Sequence, residues 1–400
     1  MNKNLLECTI QGIVDKYPET MDIFTGFNIV TQEELAQGLG AVLRLKTLLS
    51  IKKINPESFI SLLIDKIENT EQYRQLSEVV TDNQGVFNFV AQLPCALNLP
   101  LNWALQAILK KLRVEKDIRL NYYLWSCSND VLYFADYLQQ VEDIADAPDL
   151  IVTTDYNLFN SKFIEQVMNK GLYTTSLQQP KPINSTLNYI GIVDKQGWYN
   201  VVAINPVVVV IDCRQMGRLP IPKTWGDLLQ PEYEQQVVLN GSSGDFDDII
   251  LLTIYQQYGD AGIAALRRSV RTGMHPSQMI KSMAGNNHNR PPIYVMPYFF
   301  ANTISPPVEA KVIWMEDGTP ITPLSYLVKA SKAKELQALI DYFNGPEFGR
   351  ICAGAYFPAL HPQVPHNLPA EAVLKWLGWD YIRGQDTGKL LARLNSNFIM

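Results

Sequence analysis

The chain has 400 residues, of which 47% are hydrophobic and 18% are charged, so it carries enough apolar material for two or three packed domains. Its net charge of −6 and the lack of any basic run longer than Lys110-Lys111 argue against a nucleic-acid-binding surface. No uncharged apolar run approaches the length that crosses a bilayer, and the first residues lack the apolar segment of a signal peptide. We therefore expect a cytoplasmic protein without a membrane span.

Residues 1–75 are predicted to form a small all-α domain. Thr9 and Thr31 are placed to cap the first two helices, and Pro56 stands at the first turn of a third. Apolar residues at helical spacing follow each of these start signals. A largely polar stretch comes next, and we expect it to include a linker at 76–85.

From residue 86 onward the pattern changes to alternating strands and helices, which predicts a parallel sheet with helical crossovers. The strands expected in this first group are Val86–Leu93, Asn121–Cys127 and Asp149–Thr154. The helices expected between and after them are Pro100–Leu112, Val131–Val141 and Ser161–Lys170.

A second α/β group follows the long apolar run Val201–Asp212, which Asn205-Pro206 interrupts. Its expected helices are a Trp-containing one within Pro220–Leu229, one starting at Asp245, and others at Pro276–Ala284, Lys332–Phe343 and Ala370–Leu377. Its expected strands are Val237–Leu239, Ile293–Met296, Lys311–Trp314 and Leu324–Val328. Extended crossings near 201–212 and 320–328 predict two lobes and a cleft, with lobe 1 at about 86–204 and 325–400 and lobe 2 at about 205–324.

Cysteine and histidine spacing gives no sign of a metal centre. The five cysteines are far apart and form no CxxC pair, so we expect free, mostly buried thiols; they are Cys8, Cys95, Cys127, Cys213 and Cys352. The four histidines lack the spacing of metal ligands. We predict neither a cofactor nor a metal.

The segment Asn240–Gly244 has the composition of a turn between a strand and a helix. It lacks the lysine of a phosphate-binding P-loop, and its glycines do not have the GxSxG spacing of a nucleophile elbow. Two interpretations remain open. The loop either caps the helix that follows, or it offers serine hydroxyls and N–H groups to an oxygen-rich ligand.

Five segments, taken in order, carry a family resemblance: "LPCALNLPL" (93–101), "PDLIVTTDYNLF" (148–159), "TWGDLLQPEYEQQVVL" (224–239), "IYVMPYFFA" (293–301) and "ITPLSYLVKASKAKELQALIDYF" (321–343). Together they resemble type 2 periplasmic solute-binding proteins, in particular the extracellular solute-binding family of iron(III)-type ABC receptors. The resemblance covers about 86–400 and implies a two-lobed α/β fold of the type 2 periplasmic-binding-protein kind.

The N-terminal segment "TIQGIVDKYPETMDIFTGFN" (9–28) resembles a small helical domain of unknown function found on redox-associated bacterial proteins. Many members carry a cysteine pair soon after this segment, whereas this chain has Asn28-Ile29-Val30. A protein partner that binds through this domain is a further expectation.

The receptor resemblance implies ligand contacts at the carboxyl ends of strands in both lobes, in agreement with the crevice rule for open α/β sheets. The matching positions are Pro94, Cys95, Ala96, Thr154, Asp155 and Tyr156 in lobe 1, and Ser242, Ser243, Gly244, Asp245 and Tyr298 in lobe 2. Iron receptors of this kind hold ferric ion with two adjacent tyrosines, but Phe299 follows Tyr298 here. A neutral or weakly charged organic ligand, a chelate and an oxyanion all remain candidates.

We therefore expect a solute-binding protein, not an enzyme, that captures a small polar ligand by hinge closure, as a sensor or as an ABC-type substrate-binding component. One alternative is an enzyme on the same fold, with Cys95 as nucleophile and His275 or His288 as base. Another is an adaptor that binds proteins through its helical domain.

Limited proteolysis is expected to cut the full-length chain within residues 68–85, because the helical periodicity ends there and the strand–helix alternation has not yet begun. Mass mapping of the fragments locates the cut. A single resistant core without cleavage in this stretch would contradict an independent N-terminal domain.

Overall fold

The structure is a computed structural model. It describes residues 5–26, 29–30, 44–51, 56, 59–60, 63–64, 67, 88–126, 147–154, 156–159, 163–173, 182–242, 245–285, 289–304, 306 and 308–398. The chain divides into two compact units, residues 1–86 and 87–400. The helix predicted from Thr31, the linker at 76–85 and the helix predicted at Val131–Val141 lie outside the described residues.

The first unit is helical where it is described. Helices α1 (Ile10–Lys16), α2 (Met21–Gly26) and α3 (Leu45–Ile51) bury apolar side chains, and Phe24 packs against Phe59 with ring centroids 5.7 Å apart. As predicted, Thr9 caps α1, since its hydroxyl oxygen accepts a hydrogen bond from the Gly12 N–H at 3.2 Å.

The second unit is built on strands that the described residues form in the following chain order: β1 (Phe89–Leu93), β2 (Tyr122–Ser126), β3 (Leu150–Thr153), β4 (Asn200–Asp212), β5 (Val237–Ser242), β6 (Asp245–Phe246), β7 (Val270–Met274), β8 (Ile293–Pro297), β9 (Ala310–Ile313), β10 (Thr319–Val328) and β11 (Leu374–Lys375). Their spatial order is β2-β1-β3-β10-β4-β8-β5-β6, with β11 beside β10, β7 beside β5 and β9 beside β4. This order creates two lobes that share β4.

Strand β4 changes partners along its length. Residues from Asn200 to Pro206 pair antiparallel with β10, and the residues from Val207 onward pair antiparallel with β8 and β9. The strand continues through Asn205-Pro206, which confirms the extended crossing predicted near 201–212. Pro206 lies where the pairing of β4 passes from β10 to β8. We define the lobe 1 sheet as β1, β2, β3, β10 and the first half of β4, and the lobe 2 sheet as the second half of β4 with β5, β7, β8 and β9.

Helices cover these sheets. They are α4 (Cys95–Lys116), α5 (Asp248–Ser269), α6 (Pro276–Ala284), α7 (Tyr298–Ala301), α8 (Gln337–Phe343), α9 (Pro346–Gly354), α10 (Trp379–Arg383) and α11 (Thr387–Ser396). The predicted stop at Tyr258-Gly259 is a kink inside α5, because Gly259 has φ 59° and ψ −155° and the helix resumes after it. The Trp-containing helix predicted before β5 is reduced to a 3-10 turn at Asp227–Leu229.

The helix predicted at Ala370–Leu377 does not form. Leu374 and Lys375 instead extend beside Thr319 and Pro320 as β11, and the Thr319 N–H donates to the Val373 carbonyl at 2.7 Å. The apolar spacing of this stretch is compatible with a helix, but the neighbouring edge of β10 satisfies its backbone groups. Tertiary pairing therefore overrides the local pattern.

The described cysteines differ in exposure. Cys352 is buried, but Cys213 is exposed, so the expectation of mostly buried thiols fails for Cys213.

Among helices of the described residues, none combines the length and the apolar character that a membrane crossing requires.

A buried ion pair fixes the far end of β4. Asp212 ends the strand, and its carboxylate accepts hydrogen bonds from Arg290 Nε at 2.9 Å and Nη2 at 2.7 Å. The side chains are 0% and 4% exposed, respectively, and Arg290 Nη1 also donates to the Gly285 carbonyl. The guanidinium thus ties the entry of β8 to the end of β4.

Replacing Asp212 with Ala should lower the free energy of unfolding by about 3–5 kcal/mol, because it leaves a buried guanidinium without its counter-charge. The exposed pair Arg268–Glu234, 3.4 Å apart, supplies the control: Glu234→Ala should cost less than about 1 kcal/mol. Urea denaturation followed by tryptophan fluorescence measures both. Equal losses in the two variants would contradict the special role of the buried pair.

Candidate ligand-binding site

The ends of β1 and β3 lie side by side, because these two strands pair in parallel. Pro94 is buried and precedes α4, and its carbonyl accepts the Leu97 N–H at 2.8 Å. Cys95 and Ala96 are the first residues of that helix. The helix thus begins at Cys95, not at Pro100 as predicted, which places all three predicted residues at the junction of strand and helix.

Tyr156 follows the end of β3 and lies at the same edge of the lobe 1 sheet. Thr154 is half-buried, and Tyr156 starts a one-turn 3-10 helix that runs to Phe159. The Tyr156 side chain is 2% exposed and its ring lies 5.5 Å from that of Phe159. Asp155 lies outside the described residues.

A group of polar side chains meets where the two lobes join; we name it the crossing cluster, and its members are Tyr156, Asn205, Asp247, Asp248 and Thr322. Asn205 on β4 stands opposite Thr322 on β10. Tyr156 comes from lobe 1, and Asp247 and Asp248 come from the start of α5 in lobe 2. Both lobes and both crossing strands therefore contribute to one polar site.

The pKa of Tyr156 is shifted by its burial and by other members of the crossing cluster. Burial raises it well above its ordinary value, the Thr322 hydroxyl acts in the opposite direction, and the carboxylates Asp248 and Asp247 add to the rise. Among the described residues, the contact with Thr322 falls short of a full hydrogen bond, and the Asn205 side-chain oxygen also has no partner. Two buried polar atoms in this cluster thus have unmet hydrogen-bonding capacity.

The loop in lobe 2 is a hairpin. Strand β5 extends to Ser242 and turns back into β6, with Gly241 opposite Phe246 and Ser242 opposite Asp245. Helix α5 begins only at Asp248, so the prediction that it starts at Asp245 is wrong.

A two-point contact closes this hairpin. The Asn240 carbonyl accepts the Asp247 N–H at 3.0 Å, and the Asn240 side-chain amide donates to the Asp247 carboxylate at 2.9 Å. These bonds hold Asp247, the N-cap residue of α5, next to the strand end, and its side chain makes no capping hydrogen bond to the helix. Ser242 and Asp245 are strand residues, and Ser243 and Gly244 lie outside the described residues.

Tyr298 is packed among aromatic rings. It begins α7 directly after β8 and is 8% exposed, with Trp314 at 4.8 Å and Tyr356 at 5.6 Å, both in edge-to-face geometry. Its hydroxyl donates to the Asn367 carbonyl at 3.2 Å. The next residue, Phe299, stacks on Phe357 at 5.1 Å.

Burial raises the pKa of the Tyr298 phenol, and the Asn302 side chain acts in the opposite direction. The residue stays in its neutral form at physiological pH. Within the described parts of the chain, no three His, Cys, Asp or Glu side chains come together as a metal site.

Sequence reasoning missed Asn205 and Thr322 as site residues and treated Asp247 and Asp248 only as capping acids. One signal could have found the first two. Each is a polar side chain inside an otherwise apolar run of the kind that is buried in a sheet. Burying a polar side chain costs free energy unless a hydrogen bond compensates it, so such a position indicates a partner or a ligand.

Comparison with known proteins identifies the architecture. Residues 145–385 match the family described as bacterial extracellular solute-binding protein. A search of curated proteins finds no match.

Similar solved structures include the ferric binding protein from Campylobacter jejuni, with 15% identity over 78% of this chain and 98% of that one and a TM-score of 0.54. An ABC transporter structure from Clostridium perfringens shares 15% identity over 78% and 99% of the chains, with a TM-score of 0.52. The periplasmic binding protein AfuA from Actinobacillus pleuropneumoniae, solved with fructose-6-phosphate, shares 11% identity over 78% and 98%, with a TM-score of 0.51. The predicted fold class and family resemblance over the second unit are confirmed.

These matches decide two further expectations. The family consists of solute-binding proteins, which confirms that the chain is not an enzyme. His275, considered above as a base, is instead the N-cap of α6, and its ring nitrogen accepts the Ser277 N–H at 3.3 Å. The family is extracellular, so the predicted cytoplasmic location is wrong. A net charge of −6 and widely spaced cysteines are compatible with either compartment, so these features do not distinguish the two locations.

Adding ferric ion as its nitrilotriacetate complex is expected to give no tyrosinate absorption band in the visible range. A tyrosine binds iron as the phenolate, and burial together with the hydrogen bond to Asn367 keeps Tyr298 protonated. Absorption spectroscopy of the purified protein measures this. A stoichiometric band that disappears in Tyr298→Phe would contradict the prediction.

Proposed function

Because the chain belongs to the bacterial extracellular solute-binding protein family, we propose that its second unit captures a small polar ligand between the two lobes. The observation that carries this proposal is the crossing cluster, where polar groups of lobe 1, lobe 2 and both crossing strands converge. The structural neighbours include a ferric binding protein and a receptor solved with fructose-6-phosphate, so this fold can accommodate small polar solutes.

The unmet hydrogen-bonding capacity of the cluster suggests what the ligand offers. The Asn205 side-chain oxygen requires a donor, and the Tyr156 hydroxyl can donate to an acceptor. Leaving such groups buried and unpaired costs about 1–3 kcal/mol each. A ligand with hydroxyl or amide groups would relieve this cost, which favours the closed, ligand-bound state.

The charge of the cluster favours a neutral or positively charged ligand over a free anion. Asp247 and Asp248 stand close enough to Tyr156 to raise its pKa, and their field would repel a second negative charge. An oxyanion is therefore the least suitable of the three ligand classes considered from the sequence.

Residues at the strand ends complete the proposed site. Pro94, Cys95, Ala96 and Thr154 would line its lobe 1 side, with Asp155 beside them. Its lobe 2 side would be lined by Ser242, Ser243, Gly244 and Asp245. Tyr298, at the start of α7, would also belong to the lobe 2 side. Closure would bring the two sides together about β4 and β10, and the protein would serve as a sensor or as the substrate-binding component of an ABC-type importer. A protein partner would bind through the N-terminal unit.

Replacing Tyr156 with Phe should weaken ligand binding by about 0.5–1.5 kcal/mol, because it deletes one hydrogen bond and keeps the ring. Native mass spectrometry first identifies the ligand that co-purifies with the protein, and calorimetry on stripped protein then measures its affinity. Tyr342→Phe is the matched control, since that buried hydroxyl also lacks a partner among the described residues but belongs to the lobe 1 core.

Thermal melts of both variants establish that the fold is intact. If Tyr156→Phe binds as tightly as Tyr342→Phe and the parent protein, the crossing cluster does not contact the ligand.

A further inference from the structure

The chain leaves α9 through a backbone conformation that its sequence does not favour. Tyr356 has φ 64°, in the left-handed region, where a bulky side chain is rare and glycine is usual. Its N–H donates to the Ala353 carbonyl at 3.1 Å, and the N–H of Phe357 donates to the Cys352 carbonyl at 2.9 Å. Glycine would make the same turn without strain, so the presence of tyrosine indicates a role for its side chain.

The ring of Tyr356 lies at the boundary between the two lobes. Helix α9 belongs to lobe 1, and the half-buried Tyr356 packs against the hydrophobic cores of both lobes. Across the boundary it meets Tyr298 of lobe 2, whose ring centroid is 5.6 Å away at an interplanar angle of 83°. Trp314 of lobe 2 lies on the Tyr298 ring at 4.8 Å. The three rings thus form one continuous contact from lobe 1 into lobe 2.

Hydrogen bonds hold this contact together. The Tyr298 hydroxyl donates to the Asn367 carbonyl at 3.2 Å, and the Asn367 side-chain amide donates to the Ala353 carbonyl at 3.0 Å. The same Ala353 carbonyl accepts the Tyr356 N–H. The end of α9 therefore fixes both the strained tyrosine and the segment that binds the Tyr298 hydroxyl.

The contact also lies beside the crossing strand β4. Pro297, which precedes Tyr298, pairs with Val207, next to the point where β4 passes from β10 to β8. A displacement close to a pivot is enlarged at the far ends of the two bodies that it joins. The size of the side chain at this boundary therefore affects how far apart the lobes lie.

We propose that Tyr356 is a positioning residue of the hinge, whose ring contacts Tyr298 and sets the separation of the lobes in the protein without ligand. This inference rests on the proposed hinge closure. A contact between the lobes that exists before a ligand binds changes the balance of open and closed states. A smaller residue would leave a gap beside Tyr298, and the lobes would then adopt a wider range of separations.

Double electron–electron resonance on the full chain, stripped of ligand, measures this separation. Spin labels on a keto amino acid are placed at Val114 in lobe 1 and Ile221 in lobe 2, which are 74% and 42% exposed. Tyr356→Gly and Tyr356→Asn delete the ring with residues that accept the left-handed backbone, so both should broaden or shift the distance distribution. Tyr356→Phe keeps the ring and should match the parent.

Gln235→Gly is the matched control for the change of backbone. Gln235 has φ 59° on the exposed surface of lobe 2, and its side-chain amide donates to the carbonyls of Arg268 and Val270 in the same lobe. This variant should give the distance distribution of the parent. The melting temperature of Tyr356→Gly should lie within about 4 °C of the parent value, because relief of backbone strain offsets the lost ring contacts.

Distance distributions of Tyr356→Gly and Tyr356→Asn that equal the parent distribution would overturn the proposal. An equal change in Tyr356→Phe or in Gln235→Gly would overturn it as well, since the ring would then not be the cause. The comparison uses no ligand, so it is independent of whether a returned ligand closes the lobes. A failure of the proposed hinge closure is thus distinguishable from a failure of the role of Tyr356.

Discussion

The second unit depends on one backbone constraint, which is the passage of β4 through both lobes without a break. The hydrogen-bonding groups of its first half are satisfied by β10, and those of its second half by β8 and β9. A slip of one residue would turn every side chain to the opposite face, so the register of both lobes is set together. The change of partner also leaves a place for polar side chains in the middle of the unit, and Asn205 and Thr322 occupy it.

The C-terminal segment adds a third connection between the lobes. On the lobe 1 side, Arg383 of α10 forms an ion pair with Asp194, and its guanidinium lies 5.3 Å from the rings of both Trp198 and Trp379. On the lobe 2 side, Arg393 of α11 reaches Asp260. Any hinge motion about β4 and β10 must therefore carry α10 and α11 with it. Both sides carry buried aromatic contacts, since Phe398, which follows α11, packs against Phe246 of β6 with ring centroids 4.9 Å apart.

Local signals in the sequence located some elements well. Helix α6 has the predicted bounds, Pro276–Ala284, because proline at its start, the His275 cap and Gly285 at its end are all local. One failure comes from distant pairing, since β11 pairs with β10 in place of the helix predicted at Ala370–Leu377. The other is local, since residues 245–246 form the second strand of a hairpin with β5 and α5 begins only at Asp248. The predicted site residues mark the strand ends, whereas the crossing cluster also needs the register of β4 and β10, which no local pattern records.

Ligand-driven closure of the two lobes would shorten the distance between them, and this distance can be measured. Spin labels attached to a keto amino acid at Val114 in lobe 1 and Ile221 in lobe 2 report this distance by double electron–electron resonance, since these side chains are 74% and 42% exposed. The protein stripped of ligand is expected to show a longer or broader distance distribution, which shortens and sharpens when the co-purified ligand is returned. An identical distribution with and without a saturating amount of that ligand would contradict capture by hinge closure.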